Sequence, residues 1–250
     1  MEMLLDAPTI SVRELQERLH VSSWTIRRDL DHLQVSGVVS RRYGKVTLID
    51  RETTRSAVTV ETFDDDELRA AKLAIGEATA RLIRSGQNIV LAGGTTTLEV
   101  ARALLRREVH CTVVTNGLVI ALELSRSGQI QVTCTGGDVN GSYQTMTGPL
   151  VERAIQKHYF DVAVIGVGGI GLDEGLTVNS GINATTLALM LQHSKQAVVA
   201  ADHTKFGVSR FAHLGGLETV DTIVTDRAPS PDFQSRIRAA DIKLIVADRP

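Results

Sequence analysis

Several features are missing from this sequence, and each absence closes a class of explanation. Among its 250 residues no apolar run approaches the roughly 20 that a membrane-spanning helix requires. The N-terminus lacks the charged-then-apolar shape of a secretory signal. Two cysteines occur, Cys111 and Cys134, and both fall in predicted strands, which suits buried thiols in a reducing cytoplasm rather than a disulfide. A cytoplasmic protein is therefore expected. No Cys/His cluster has metal-ligand spacing, so neither a metal nor a cofactor is expected. No repeat or low-complexity tract interrupts the chain.

What is there divides into two parts. The formal net charge of −2 is an average that hides a local excess. Between Val21 and Leu48 the charged residues are Arg27, Arg28, Arg41, Arg42 and Lys45 against Asp29 and Asp31. That balance is what contact with phosphates requires. Ser11-Val12-Arg13-Glu14 is a capping box, in which serine and glutamate satisfy each other's amides at a helix start, and Val12, Leu15 and Leu19 supply that helix's apolar face. After a short turn at His20-Val21, Ser22 is a good N-cap for a second helix. Its Ile26, Leu30 and Leu33 recur at helical spacing and share a buried side, which leaves Trp24, Thr25, Arg27 and Arg28 largely on the other. Gly37 ends the helix, and Val38 to Leu48 reads as a β-hairpin whose tip carries Arg41, Arg42, Tyr43 and Lys45. Two capped helices across a tight turn, followed by a basic hairpin, describe a winged helix-turn-helix. The residues expected to meet DNA are Ser22, Trp24, Thr25, Arg27, Arg28, Arg41, Arg42, Tyr43 and Lys45.

Residues 1–50 form this domain, and residues 51–66 read as a linker that closes on an acidic run. From residue 67 to residue 250 the pattern alternates. A helix through Leu68, Ala71, Ile75, Ala78 and Leu82 precedes a strand from Asn88 to Ala92. Further strands are expected at Cys111–Thr115, Ile130–Thr135, Val162–Ile165, Ala197–Ala200, Thr222–Val224 and Lys243–Val246, with helices at Leu98–Arg106 and Leu118–Ser125. Apolar, β-branched runs separated by helices imply a mostly parallel sheet buried on both faces. In such sheets ligands bind beyond the carboxyl ends of the strands.

Glycines and hydroxyls gather at those ends. Gly93-Gly94-Thr95-Thr96-Thr97 follows the first strand, Thr115-Asn116-Gly117 the second, Thr135-Gly136-Gly137 the third and Gly166-Val167-Gly168-Gly169 a later one. Glycine permits a tight turn, a hydroxyl donates, and a helix N-terminus favours an anion. Asp202-His203-Thr204-Lys205 follows another strand, where Lys205 could face a phosphate and Asp202 could orient it or hold sugar hydroxyls. Walker spacing is absent, which disfavours a nucleoside triphosphate.

These motifs resemble the DeoR type of bacterial transcriptional regulator. The N-terminal run Val-Ser-x-x-Thr-Ile-Arg-Arg-Asp-Leu, followed by Gly and a basic hairpin, is similar to the DNA-binding domain of that family. Gly94-Thr95-Thr96, Thr115-Asn116, Thr135-Gly136-Gly137, Gly166 to Gly169 and Lys205-Phe206-Gly207 are similar to its sensor domain. The resemblance implies a sensor related in fold to ribose-5-phosphate isomerase and coenzyme A transferases, and a phosphorylated sugar cradled at Gly94, Thr95 and Thr96. Effector contacts are expected from Gly94, Thr95, Thr96, Thr97, Thr115, Asn116, Gly136, Gly137, Gly168, Asp202 and Lys205. Members of that family usually have several more residues before the position of Met1, and this chain begins inside the first helix at Met3-Leu4-Leu5, so either its start lies further upstream or that helix is short.

The sequence departs from that pattern in several places. Trp24 stands where a smaller residue is usual, and the wing reads Gly44-Lys45 rather than Gly-Gly. Ala92 stands where an aspartate is common, Gly117 where a serine is common, and Asn183-Ala184 where Glu-Ala is common.

The expected function is a DNA-binding regulator acting as a homodimer or homotetramer. It would repress a carbohydrate-utilisation operon and be released from its double-stranded operator by a phosphorylated sugar. A regulator whose effector pocket has degenerated is the alternative. An isomerase-like enzyme would need a tuned general base. Asp138, Asp173, Glu174 and Asp202 are the candidates, and none forms a convincing pair, so no catalytic residue is assigned.

Overall fold

The computed structural model describes residues 9–11, 26, 30, 39–42, 45–48, 66–141 and 144–248. The chain divides into two compact units, Met1–Thr59 and Val60–Pro250.

In the first unit, β1 (Thr9–Ser11), β2 (Val39–Arg42) and β3 (Lys45–Leu48) form an antiparallel sheet in the order β1-β3-β2. The register runs from Val39 opposite Leu48 to Arg42 opposite Lys45, a hairpin as read from the sequence. The partner strand β1 was not anticipated. Its last residue, Ser11, is the residue expected to cap the first helix, and a helix cap has extended geometry. Ile26 and Leu30 are helical and buried, as their four-residue spacing requires. Val46 is buried in β3.

The second unit is built on seven parallel strands: β4 (Asn88–Leu91), β5 (Cys111–Thr115), β6 (Ile130–Cys134), β9 (Phe160–Ile165), β12 (Ser194–Ala200), β14 (Thr222–Thr225) and β15 (Lys243–Val246). Their order is β15-β14-β12-β9-β4-β5-β6. From β4 the chain builds outward through β5 to β6. It then returns to lay β9 along the other side of β4, with Leu91 opposite Val164, and builds outward again. Strand order thus reverses between β4 and β9, which opens a crevice beyond their carboxyl ends.

Side chains alternate along each strand, so the sheet carries two cores. Ile89, Leu91, Val113, Val162, Val164 and Val198 face Ile75 of α1 (Asp66–Ala80), Leu98 and Leu104 of α2 (Thr95–Arg106) and Ile120 of α3 (Leu118–Leu124). Val90, Val114, Ala163, Ile165, Val199 and Ile223 belong with Val151 of α4 (Pro149–Gln156), Met190 of α5 (Gly181–Gln192) and Phe233 of α6 (Pro231–Ala239). Burying each such aliphatic or aromatic side chain contributes roughly 1.5–3 kcal/mol. Proline opens both α4 and α6, where its missing N–H goes unneeded.

Two small antiparallel sheets lie outside the periodicity of the sequence. β7 (Asp138–Asn140) pairs with β8 (Thr145–Thr147). β11 (Gly175–Val178) lies between β10 (Gly169–Gly171) and β13 (Ala212–Gly215). One expectation is corrected: Cys111 is buried but Cys134 is exposed. The reason is topological, because β6 is an outermost strand of the large sheet.

Candidate functional site

The carboxyl ends of β4, β5, β6 and β9 bring the four glycine turns into adjacent loops. After β4 the chain passes through Ala92, Gly93 and Gly94 into α2. The Gly93 amide donates to the side-chain oxygen of Asn116 at 2.8 Å. The Asn116 amide in turn donates to the Met146 carbonyl at 2.9 Å, and the Met146 amide donates to the Asn116 carbonyl at 2.7 Å. Gly93 has no space for a side chain, since a Cβ there would lie 2.4 Å from Thr145 Cγ2 and 2.9 Å from Gly117 Cα. The Gly117 amide donates to the Thr115 hydroxyl at 3.0 Å. These bonds pin the loop so that the first turn of α2 opens at the crevice. Gly94 is exposed, Thr95 half-buried and Thr96 buried.

Across the crevice, Gly168 donates to the Thr177 carbonyl at 2.9 Å, and Arg210 Nε donates to the Gly168 carbonyl at 3.1 Å. Gly169 is hemmed in by the backbone of Val208.

Beyond β12 sits a charged cluster. Asp202 is 1 % exposed. Its Oδ1 accepts from the Thr204 amide at 3.0 Å and from the Thr204 hydroxyl. Its Oδ2 accepts no hydrogen bond among the described residues and lies 3.7 Å from Lys205 Nζ. Beside it, Asp226 grips His203 twice, accepting from its backbone amide at 2.8 Å and meeting its Nδ1 at 2.9 Å. Lys72 of α1 is buried at 9 % exposure. Burial holds its ammonium below the ordinary lysine pKa, Asp202 works against that, and Lys205 adds to it.

The residues expected at the site do not all play one part. Gly94, Thr95 and Thr96 open α2, Gly168 lies in the loop between β9 and β10, and Asp202 and Lys205 follow β12. Thr97 is fully buried and turns its hydroxyl back to the Gly94 carbonyl at 3.0 Å. Thr115 and Asn116 are likewise buried and engaged within the loops. Gly136 and Gly137 follow β6, which lies two strands from β4 on one side as β12 does on the other, about 10 Å across the sheet. Both have positive φ, at 73° and 118°, and a Cβ on Gly137 would lie 2.6 Å from the Thr147 carbonyl. Glycine serves the β6–β7 turn there.

Sequence reasoning missed Lys72, the His203–Asp226 pair and Arg210. Lys72 left a readable trace: it stands four residues after Leu68 and three before Ile75, on the stripe that a helix buries.

On the side of the first unit, Arg41 and Arg42 close β2 and Lys45 opens β3, which sets all three about the hairpin turn. Ser22, Trp24, Thr25, Arg27, Arg28 and Tyr43 lie outside the described residues.

Comparison with known proteins follows the same division. Residues 1–52 match the family model described as the DeoR-like helix-turn-helix domain, and residues 67–227 match that of the DeoR C terminal sensor domain. The chain is 33% identical to the transcriptional repressor AccR of Agrobacterium fabrum, over 99% of this chain and 95% of that protein. It is 29% identical to a putative aga operon transcriptional repressor of Escherichia coli O157:H7, over 95% of this chain and 88% of the other. Among solved structures, ribose 5 phosphate isomerase A of Neisseria gonorrhoeae aligns at 16% identity with a TM-score of 0.40. That alignment covers 56% of this chain and 54% of the isomerase.

Proposed function

Because the chain belongs to the DeoR family of transcriptional regulators, we propose that it represses a carbohydrate-utilisation operon and leaves its operator when a phosphorylated sugar binds the second unit. The observation that carries this reading is the crevice where strand order reverses. The amino terminus of α2 at Gly94-Thr95-Thr96 follows β4, and Asp202 and Lys205 follow β12 at the same end of the sheet, two strands away. A helix start and a lysine suit a phosphoryl group, and a buried carboxylate oxygen that accepts no hydrogen bond among the described residues suits sugar hydroxyls.

On the DNA, Arg27 and Arg28 would read bases or hold phosphates, and Arg41, Arg42 and Lys45 would fix the backbone. Two reading heads in a homodimer or homotetramer would meet half-sites about one helical turn, or a multiple of it, apart. Ligand binding then shifts the population between two states, and it does so only by as much as it favours one of them.

A pocket that has lost its ligand is the second reading, favoured by buried Ala92 at the end of β4. Thermal unfolding with hexose and pentose phosphates separates the two. A ligand of the folded state raises the midpoint, whereas no shift from any compound at millimolar concentration would contradict sugar-phosphate control.

A further inference from the structure

We infer that Thr145 is a contact for the effector's phosphoryl group, its hydroxyl completing the set of donors at the amino terminus of α2; this rests on the sugar-phosphate reading above. Thr145 opens β8 and is only 5 % exposed. Its hydroxyl oxygen is enclosed and has no hydrogen-bond partner among the described residues. An unpaired buried hydroxyl is costly, and a threonine kept in that state calls for a partner from elsewhere. The side chain lies against the loop that leads into α2. A Cβ on Gly93 would be 2.4 Å from Thr145 Cγ2, and the hydroxyl branches from the same carbon as that methyl. Gly93 is followed directly by Gly94, the N-cap of α2.

The polar groups around Thr145 are already taken up. The Gly93 amide donates to Asn116 Oδ1 at 2.8 Å, and the Asn116 side-chain amide donates to the Met146 carbonyl at 2.9 Å. The Gly117 amide donates to the Thr115 hydroxyl at 3.0 Å, and the Leu118 amide donates to the Gln144 carbonyl at 3.0 Å. Together with the bridge between Thr145 and Gly117, these bonds fix Thr145 against the loops after β4 and β5. None of them engages its hydroxyl. The helix start beside it is also unserved. α2 runs for 12 residues and no side chain caps it, so its first amides have no partner within the helix or from its N-cap. Thr97 turns its hydroxyl back to the Gly94 carbonyl at 3.0 Å. Gly94 is exposed and Thr95 half-buried, which leaves the helix start open to a ligand. The unengaged groups are donors: helix-start amides, and a hydroxyl that can donate. Donors without acceptors, at the positive end of a helix, suit the ionised oxygens of a phosphoryl group.

The test compares thermal unfolding of the full chain and its Thr145→Val and Thr145→Ser variants. The ligands are a panel of hexose 6-phosphates and pentose 5-phosphates, and the matching free sugars. Valine keeps the methyl that packs on Gly93 and removes the hydroxyl, whereas serine does the reverse. Without ligand, Thr145→Val should melt no lower than wild type, because it removes a buried group that has no partner. With a sugar phosphate that stabilises the wild type, Thr145→Val should bind at least about tenfold more weakly, the worth of one lost hydrogen bond to a charged group. Thr145→Ser should keep most of the affinity. Equal affinity in Thr145→Val and wild type would overturn the role of Thr145 and leave the effector reading standing. An equal loss in both variants would assign the effect to packing on Gly93 and overturn the hydroxyl's role. No shift of the wild type by any compound would overturn the effector reading, and this inference with it.

Discussion

Asn116 accepts the Gly93 amide at 2.8 Å and so ties the loop after β5 to the loop after β4. Asn116 is only 5 % exposed and Gly93 half-buried, and the other end of the same side chain holds the Met146 carbonyl at 2.9 Å. Asn116→Ala should therefore lower unfolding stability by about 1–3 kcal/mol, the penalty for leaving buried groups unsatisfied. Asn116→Asp should cost at least as much, because its carboxylate keeps an acceptor for Gly93 but is buried with an oxygen against the Met146 carbonyl. Chemical denaturation of the three proteins checks the order, and an alanine variant as stable as wild type would contradict it.

The two glycines that precede α2 should respond very differently to a methyl group. At Gly93 a Cβ meets Thr145 Cγ2 at 2.4 Å and Gly117 Cα at 2.9 Å, whereas at Gly94 it meets only the Thr97 hydroxyl at 3.2 Å. Gly94 has a φ of 163°, extended backbone open to any residue. Gly93→Ala should cost about 1–3 kcal/mol through overpacking, and Gly94→Ala much less. Adding Thr145→Ser, which removes the offending methyl, should restore part of the loss in Gly93→Ala. Melting midpoints of the two single variants and the double variant decide this.

Much of this arrangement could be read in the sequence, and the reasons for the remainder are physical. Apolar runs such as Asn88–Leu91 and Cys111–Thr115 betray parallel strands because both faces are buried. The order in which strands lie side by side does not show in any one strand. It is set by the crossover that returns β9 to β4, and so is the crevice. β10 and β11 went unread because three-to-four-residue, glycine-rich strands have no period to detect. The glycine and threonine motifs fall in loops at the strand ends, but do not show which hydroxyls turn inward. Thr97 and Thr115 serve the backbone, while Thr95 and Thr96 begin the helix. Lys72 was passed over because a lysine on an apolar stripe usually reaches to solvent, whereas here α1 packs against α2 and the strand ends beneath.

The cysteines give a chemical check on the edge of the sheet. Burial pushes the Cys111 thiol up to about 11, and Cys111 is enclosed while Cys134 is exposed on the outer strand β6. Iodoacetamide at neutral pH should alkylate Cys134 in the folded protein and reach Cys111 only on unfolding, since access and thiolate fraction both govern the rate. Mass spectrometry of the time course reads this directly. Simultaneous labelling of the two would contradict the strand order.

The DNA side rests on the double arginine and the basic hairpin. Replacing Arg27 and Arg28 together by alanine should weaken binding to a specific duplex by at least about tenfold and reduce its salt dependence. Lys45→Ala should weaken specific and non-specific duplexes about equally and lower the salt slope by about one. Titrations at several salt concentrations separate base contact from phosphate contact. Unchanged binding by the double arginine variant would remove the assigned recognition helix.

The central claim is that sugar-phosphate binding in the second unit releases DNA from the first, and fluorescence anisotropy measures that coupling most directly. A labelled duplex from upstream of the protein's own gene is bound by the full chain and titrated with the sugar phosphate that raises its melting midpoint. The account predicts that affinity for the duplex falls at least about fivefold, within the usual range of coupling between two sites, and that the matching free sugar has no effect. Unchanged DNA affinity with the effector site saturated would contradict it.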